Sequence, residues 1–201
     1  MYYCFPALSA VQGNYRVFPP FFGHEIVKQN PIFLKAGVQG MFYEPSYLAG
    51  SQQSPLLDQV EFYVTWRLAD NPDLDGNRLI AEFFDRYYGA AARPMRAFYE
   101  TAEKAFWDPA NHPAGVSGVE VEWGRLGTEE RMEKLGKLMA EATARARTDL
   151  EKRRVALFEK GIWQYMLKGR QSYVETSRVP LKSADVPRIA VASGAAPASL
   201  D

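Results

Sequence analysis

Hydrophobic and polar positions divide the chain into an aromatic front and a long series of helical stripes. Tyr2-Tyr3-Cys4-Phe5 is a short aromatic run of strand character, closed by Pro6. The stretch from Pro6 to Phe22 is rich in proline, glycine and aromatics. It is long for a connection inside a compact domain, which marks it as a functional rim or lid. From His24 to Lys35 the pattern turns helical, with Ile26, Val27, Phe33 and Leu34 on the apolar side; Asn30-Pro31 is placed to split that helix. Gly37 ends it, and Val38 to Tyr43 reads as a second strand. A β–α–β order with a short αβ turn predicts parallel neighbours joined by a right-handed crossover.

From Pro55 onward only helices are predicted. Leu56, Val60, Tyr63, Val64 and Leu68 recur at helical spacing through 55–69, and Leu79, Ile80, Phe83, Phe84 and Tyr87 do so through 76–88. Met95, Phe98, Tyr99, Ala102 and Phe106 form a third stripe. A loop at 108–127 follows, then a charged amphipathic helix marked by Met132, Leu135, Met139, Ala142 and Ala146. Leu150, Leu157, Phe158, Ile162, Tyr165 and Met166 mark the last. Near-antiparallel packing is the default for helices joined this way. A two-stranded parallel sheet is not stable alone, so the expected setting is a partner chain or the C-terminal end of a longer α/β protein.

Composition sharpens this division. The chain has 201 residues, with 24 Lys+Arg balanced by 24 Asp+Glu. That neutrality supplies no field for nucleic acid or an anionic membrane. The first fifty residues hold 11 of the aromatics and 5 charged side chains, whereas Thr128 to Lys160 holds 16 charges and one aromatic, Phe158. A single cysteine, Cys4, excludes an intramolecular disulfide framework and any cysteine-based zinc site. Neither a signal peptide nor an apolar run of about 20 residues is present in this sequence, so localisation stays open.

Particular residues carry a family resemblance. Ala36-Gly37-Val38-Gln39-Gly40-Met41-Phe42-Tyr43-Glu44 resembles a strand of domain-of-unknown-function family 4838, a bacterial group. Trp66 to Asp75, then Leu79-Ile80-Ala81-Glu82-Phe83 and Tyr87-Tyr88-Gly89-Ala90-Ala91, looks like that family's signature block. The match covers 24–107 well and the later helices loosely. Proteins of this family look like glycoside hydrolases with a (β/α)8 barrel followed by helices. The resemblance implies an α/β fragment plus α: 1–54 as the last two β/α units of a TIM-like barrel, 55–176 as a helical region, and 177–201 as a linker or the start of a next module. It implies carbohydrate, an oligosaccharide or polysaccharide, as the partner, with the remainder of the parent barrel upstream.

Barrel enzymes work at the C-terminal ends of their strands. Glu44 stands there, flanked by Tyr43 and Tyr47, with Tyr3 on the neighbouring strand. Aromatic faces suit the C–H face of a sugar, and a carboxylate accepts its hydroxyls, so these four are the expected substrate-binding residues. Glycoside hydrolysis needs two carboxylates about 5 to 9.5 Å apart. Only one stands at a strand end, so the catalytic residues are unknown and the isolated chain is expected to be inactive. No cofactor and no metal is expected.

Two other readings compete. A non-catalytic helical scaffold or interaction module would use the aromatic front to dock onto a partner. A calcium-binding helix–loop–helix at 71–82 would use Asn71, Asp73, Asp75 and Glu82; the simpler alternative makes Asp75 an N-cap and Asn71-Pro72-Asp73 a turn. His24 and His112 belong to no ligand motif and suit surface or capping roles. Trp66, Trp107 and Trp163 fall beside apolar stripes and suit the core, leaving Trp123 unexplained. Lys152-Arg153-Arg154 reads as a solvated helix face.

Overall fold

The structure is a computed structural model that describes residues 2–4, 15, 17–40, 42–44 and 58–178. Seven α-helices dominate these residues. They are α1 (Gly23–Lys35), α2 (Gln59–Asp70), α3 (Gly76–Tyr88), α4 (Ala92–Trp107), α5 (Glu129–Arg145), α6 (Asp149–Phe158) and α7 (Gln164–Arg178). Neighbours in sequence pack as neighbours in space from α1 to α6, and α3 also meets α6. The sheet among the described residues has two three-residue strands, β1 (Tyr2–Cys4) and β2 (Phe42–Glu44), paired in parallel with Tyr3 opposite Tyr43.

The expected end of a TIM-like barrel is therefore overturned: the fold is mainly helical. A barrel helix buries a broad apolar stripe on the sheet beneath it. Here α1 packs on α2 and α3 instead, buries Gly23 and Ile26, and leaves Ile32 and Leu34 in solvent. Nor is α1 split at Pro31, which lies inside the helix. The proline forfeits one main-chain bond, while the Asn30 side chain just before it donates to the Pro72 carbonyl at 3.1 Å and ties that turn to the α2–α3 connection.

Local chemistry sets the helix ends. Asp75 caps α3 by accepting the Arg78 N–H at 3.1 Å, and Asn71 accepts the Asp73 N–H, so both oxygens serve the turn. Gly76 follows because a Cβ there would meet Val27 at 2.4 Å. Gly89 closes α3 with φ +53°, where a Cβ would also strike the Glu151 carboxylate. That carboxylate completes a capping box with Thr148 on α6 and accepts the Ala90 N–H. Arg154 returns the contact, stacking 4.2 Å from the Tyr87 ring and donating to the Tyr87 carbonyl at 2.7 Å.

Two π-helical turns interrupt the second half, at Glu120–Leu126 and Glu159–Trp163. The first lies within the expected loop at 108–127 and brings Trp123 to 1% exposure. The second joins α6 to α7 and keeps Ile162, Trp163, Tyr165 and Met166 buried across the junction. Trp123 lies flat on Gly169 of α7, where a Cβ would stand 2.2 Å from its Cζ2. Gly169→Ala is thus expected to displace the indole, costing about 1–3 kcal/mol as overpacking. Thermal melts should show a Tm several degrees lower together with altered near-ultraviolet dichroism of the tryptophans.

Candidate functional site

An extended strap, Tyr15 and 17–22, enters the helical bundle and buries Phe18, Phe21 and Phe22 there, with both prolines between Phe18 and Phe21. The described part of the expected rim is therefore core, because aromatic residues at this density gain more from burial than from solvent. Extended chain cannot pair its own amides, so the bundle must supply partners. Trp123 Nε1 donates to the Tyr15 carbonyl at 2.6 Å, and the Tyr165 hydroxyl donates to the Val17 carbonyl at 2.9 Å. Glu122 accepts the Phe18 N–H at 2.5 Å, and Trp107 Nε1 donates to the Phe21 carbonyl at 2.8 Å.

Where the strap becomes α1 the partners are more unusual. Glu61 Oε1 accepts the Phe22 N–H at 3.0 Å and a hydrogen bond from the Tyr99 hydroxyl. The same hydroxyl accepts the Gly23 N–H at 2.8 Å. Gly23 is required, since a Cβ would lie 2.7 Å from that oxygen. Glu61 has no exposed surface, and its Oε2 has no hydrogen-bond partner among the described residues. Burial, aided by the nearby Asp58 carboxylate, pushes its carboxyl from 4.5 up to about 8, against the pull of the Tyr99 and Phe22 donors. The folded chain holds a proton that the unfolded chain releases, so this stabilisation is whole below pH 4.5 and is lost as pH climbs through about 8.

One residue further, Glu103 accepts the His24 N–H at 2.8 Å and bonds the imidazole Nδ1. The Glu103 carboxyl is buried, and its hydrogen bond raises the His24 pKa above 6.5, opposed by partial burial of the ring. His24 from α1 and Glu103 from α4 line a cleft of about 610 Å³ between the two helices. Glu25 and Lys28 extend the α1 side, and Glu100, Lys104, Trp107 and Asp108 complete the α4 side. Lys28 is paired with Glu25, and Glu100 with Arg96 at 2.6 Å. Trp107 leaves 45% of its surface exposed while its N–H is held on the strap. No group of three or more His, Cys, Asp or Glu side chains among the described residues is arranged to hold a metal ion.

For the residues expected to bind substrate, the structure describes main chain at most. Tyr3, Tyr43 and Glu44 are backbone positions of β1 and β2, with Cys4 opposite Glu44 in the ladder; nothing of their side chains is described, and Tyr47 lies outside the described residues. Trp66 and Trp107 are half exposed instead of core, whereas Trp163 and Trp123 are buried. His112 takes the expected capping role, with Nε2 2.6 Å from the Phe106 carbonyl. The cleft itself carried a periodic signal: Glu100, Glu103, Lys104 and Trp107 recur at i, i+3, i+4 and i+7, a polar helix face ending in an indole. Glu61 carried one too, since it shares a face with Val64, Thr65 and Leu68.

Compared with protein-family models, curated proteins and solved structures, the chain matches none.

The His24–Glu103 pair gives a test of its own. Its contribution is whole below pH 6.5 and is lost as pH rises through the raised His24 value. Glu103→Gln should move the imidazole midpoint, followed by proton NMR, back toward 6.5. It should also narrow the gap in Tm between pH 6 and pH 9, because a neutral amide no longer favours the imidazolium.

Proposed function

We propose that this chain is a carbohydrate-binding helical support belonging to a larger glycoside-hydrolase-like protein. The observation that carries the reading is the make-up of the α1–α4 cleft. Trp107 offers an indole face held in place by its own N–H. Beside it stand carboxylates of Glu100 and Asp108 and ammonium groups of Lys28 and Lys104. A sugar needs this mixture: an aromatic plane for its C–H face, and acceptors and donors for its hydroxyls. The resemblance read in residues 24–107 to domain-of-unknown-function family 4838 would imply the same ligand class; no family model matches the chain. Tyr3, Tyr43, Glu44 and Tyr47 are proposed to face the same ligand from the aromatic front. The bond-cleaving carboxylate pair is assigned to the rest of the parent protein.

Titration of the full chain with linear oligosaccharides of glucose, xylose and N-acetylglucosamine tests this. Tryptophan fluorescence should change on binding, and calorimetry should return a saturable heat. Trp107→Ala should weaken binding about tenfold or more, equivalent to about 1.4 kcal/mol, whereas Trp66→Ala, also at an exposed indole on another helix, should not. Absence of binding by every sugar, or equal affinity in the Trp107 variant, would overturn the reading.

A further inference from the structure

Polar groups line the α1–α4 cleft from both sides, and they differ in how firmly they are held. Lys28 pairs with Glu25 on its own helix, and Glu100 pairs with Arg96 on α4. Surface pairs of this kind are weak, and fixing their side chains on a ligand costs rotamer freedom. His24 is held differently. Its main-chain N–H donates to one oxygen of the buried Glu103 carboxyl at 2.8 Å, and its ring Nδ1 bonds the other. The imidazole is thus anchored in the first turn of α1 and across to α4 at once. Nε2, at the far edge of this partly exposed ring, makes no hydrogen bond among the described residues and is open to solvent.

We propose that His24 Nε2 is the contact in this cleft for a ligand hydroxyl, with Glu103 as the residue that positions it. The assignment rests on the carbohydrate reading of the cleft and names the group of the sugar that is recognised. The chemistry of the ring selects that group. An ionised carboxylate only accepts, so the hydrogen shared with Glu103 is carried by Nδ1. Neutral imidazole therefore offers Nε2 as an acceptor, and imidazolium offers it as an N–H donor. A hydroxyl both donates and accepts, so it serves Nε2 in either form. A carboxylate serves it only when the ring is charged, and an ammonium only when it is neutral. From the α4 side, Trp107 exposes its indole while its N–H is held by the Phe21 carbonyl. One ring thus supplies the surface for the C–H face and the other the hydroxyl contact. Both rings are fixed before any ligand arrives, which keeps the ordering cost of binding low.

The test takes the full chain, labelled with nitrogen-15 in histidine, through titrations with the glucose, xylose and N-acetylglucosamine oligosaccharides. Saturation should move the His24 Nε2 resonance more than that of Nδ1, which stays on Glu103. In His24→Phe, which keeps a ring and removes both nitrogens, affinity should fall about fivefold, the worth of one net hydrogen bond. Should that variant not fold, the wild-type Nε2 shift decides alone. Glu103→Gln tests the positioning. Its carbonyl is taken by the His24 N–H, so its amide faces Nδ1 and the neutral imidazole must carry its hydrogen on Nε2. The two ring nitrogen shifts at alkaline pH should then exchange, which loss of packing alone would not cause; unchanged shifts overturn the positioning role. A saccharide that binds without moving Nε2, or binds a folded His24→Phe chain equally well, overturns the His24 contact and leaves the Trp107 reading standing. If no saccharide binds the wild type, the carbohydrate reading falls and this assignment falls with it.

Discussion

The structure depends on burying a stretch of extended chain inside a helical bundle. Helices satisfy their own amides; a strap of aromatics and prolines does not. Every residue of apolar surface that Phe18, Phe21 and Phe22 bury brings main-chain N–H and C=O groups with it, and each unpaired one would cost about 1–3 kcal/mol. The bundle meets this demand with long polar side chains: three glutamates for N–H groups, two indoles for carbonyls and two tyrosine hydroxyls. Tyrosine serves twice in each case, since the Tyr99 hydroxyl donates to Glu61 and accepts from Gly23, and the Tyr165 hydroxyl both donates to Val17 and accepts from it.

That demand explains features that look unrelated along the chain. Trp123 reaches Tyr15 because a π turn presents it and because Gly127 and Gly169 leave its ring room. Arg170 and Arg131 then hold that turn from outside, donating to the carbonyl of Trp123 and to those of Arg125 and Leu126. The glycines are therefore tied to the aromatic front far away in sequence. So is Gly23, which lets the strap approach Tyr99 closely enough for its N–H to bond.

The helices were legible because their signal is local. Capping chemistry at Asp75 and the glycine stop at Gly89 place the ends of α3 where the apolar period of Leu79, Ile80, Phe83 and Phe84 begins and ends. The π turns were not legible: a one-residue widening leaves no distinct period, and Val119-Glu120-Val121-Glu122-Trp123 alternates like a strand. The barrel expectation failed for a related reason. Aromatic runs at both ends of a short helix fit a β–α–β unit locally, but what decides the fold is which surface α1 covers, and that depends on Val60 and Tyr99, whose neighbours Gly23 and Phe21 are distant in sequence. The cleft was half legible: the charged face of α4 is periodic, but the facing side chains of α1 come together only through the strap.

The choice of partners fixes the direction in which the assembly responds to pH. Acceptors for the Phe18, Phe22 and His24 N–H groups are all carboxylates, and a carboxylate taken into the core resists ionisation. Burial raises both Glu122 and Glu61, and Glu103 faces the imidazole of His24, whose own value it raises. Glu122, Glu61 and His24 each hold a proton more tightly in the folded chain than in the unfolded one. Strap burial and proton uptake are consequently linked with one sign, so the stability that these groups contribute declines as pH rises. Amide side chains would have held the same N–H groups without that dependence. The strap's acidic grip is thus what joins the hydrophobic burial of the aromatic front to the electrostatics of the cleft beside it.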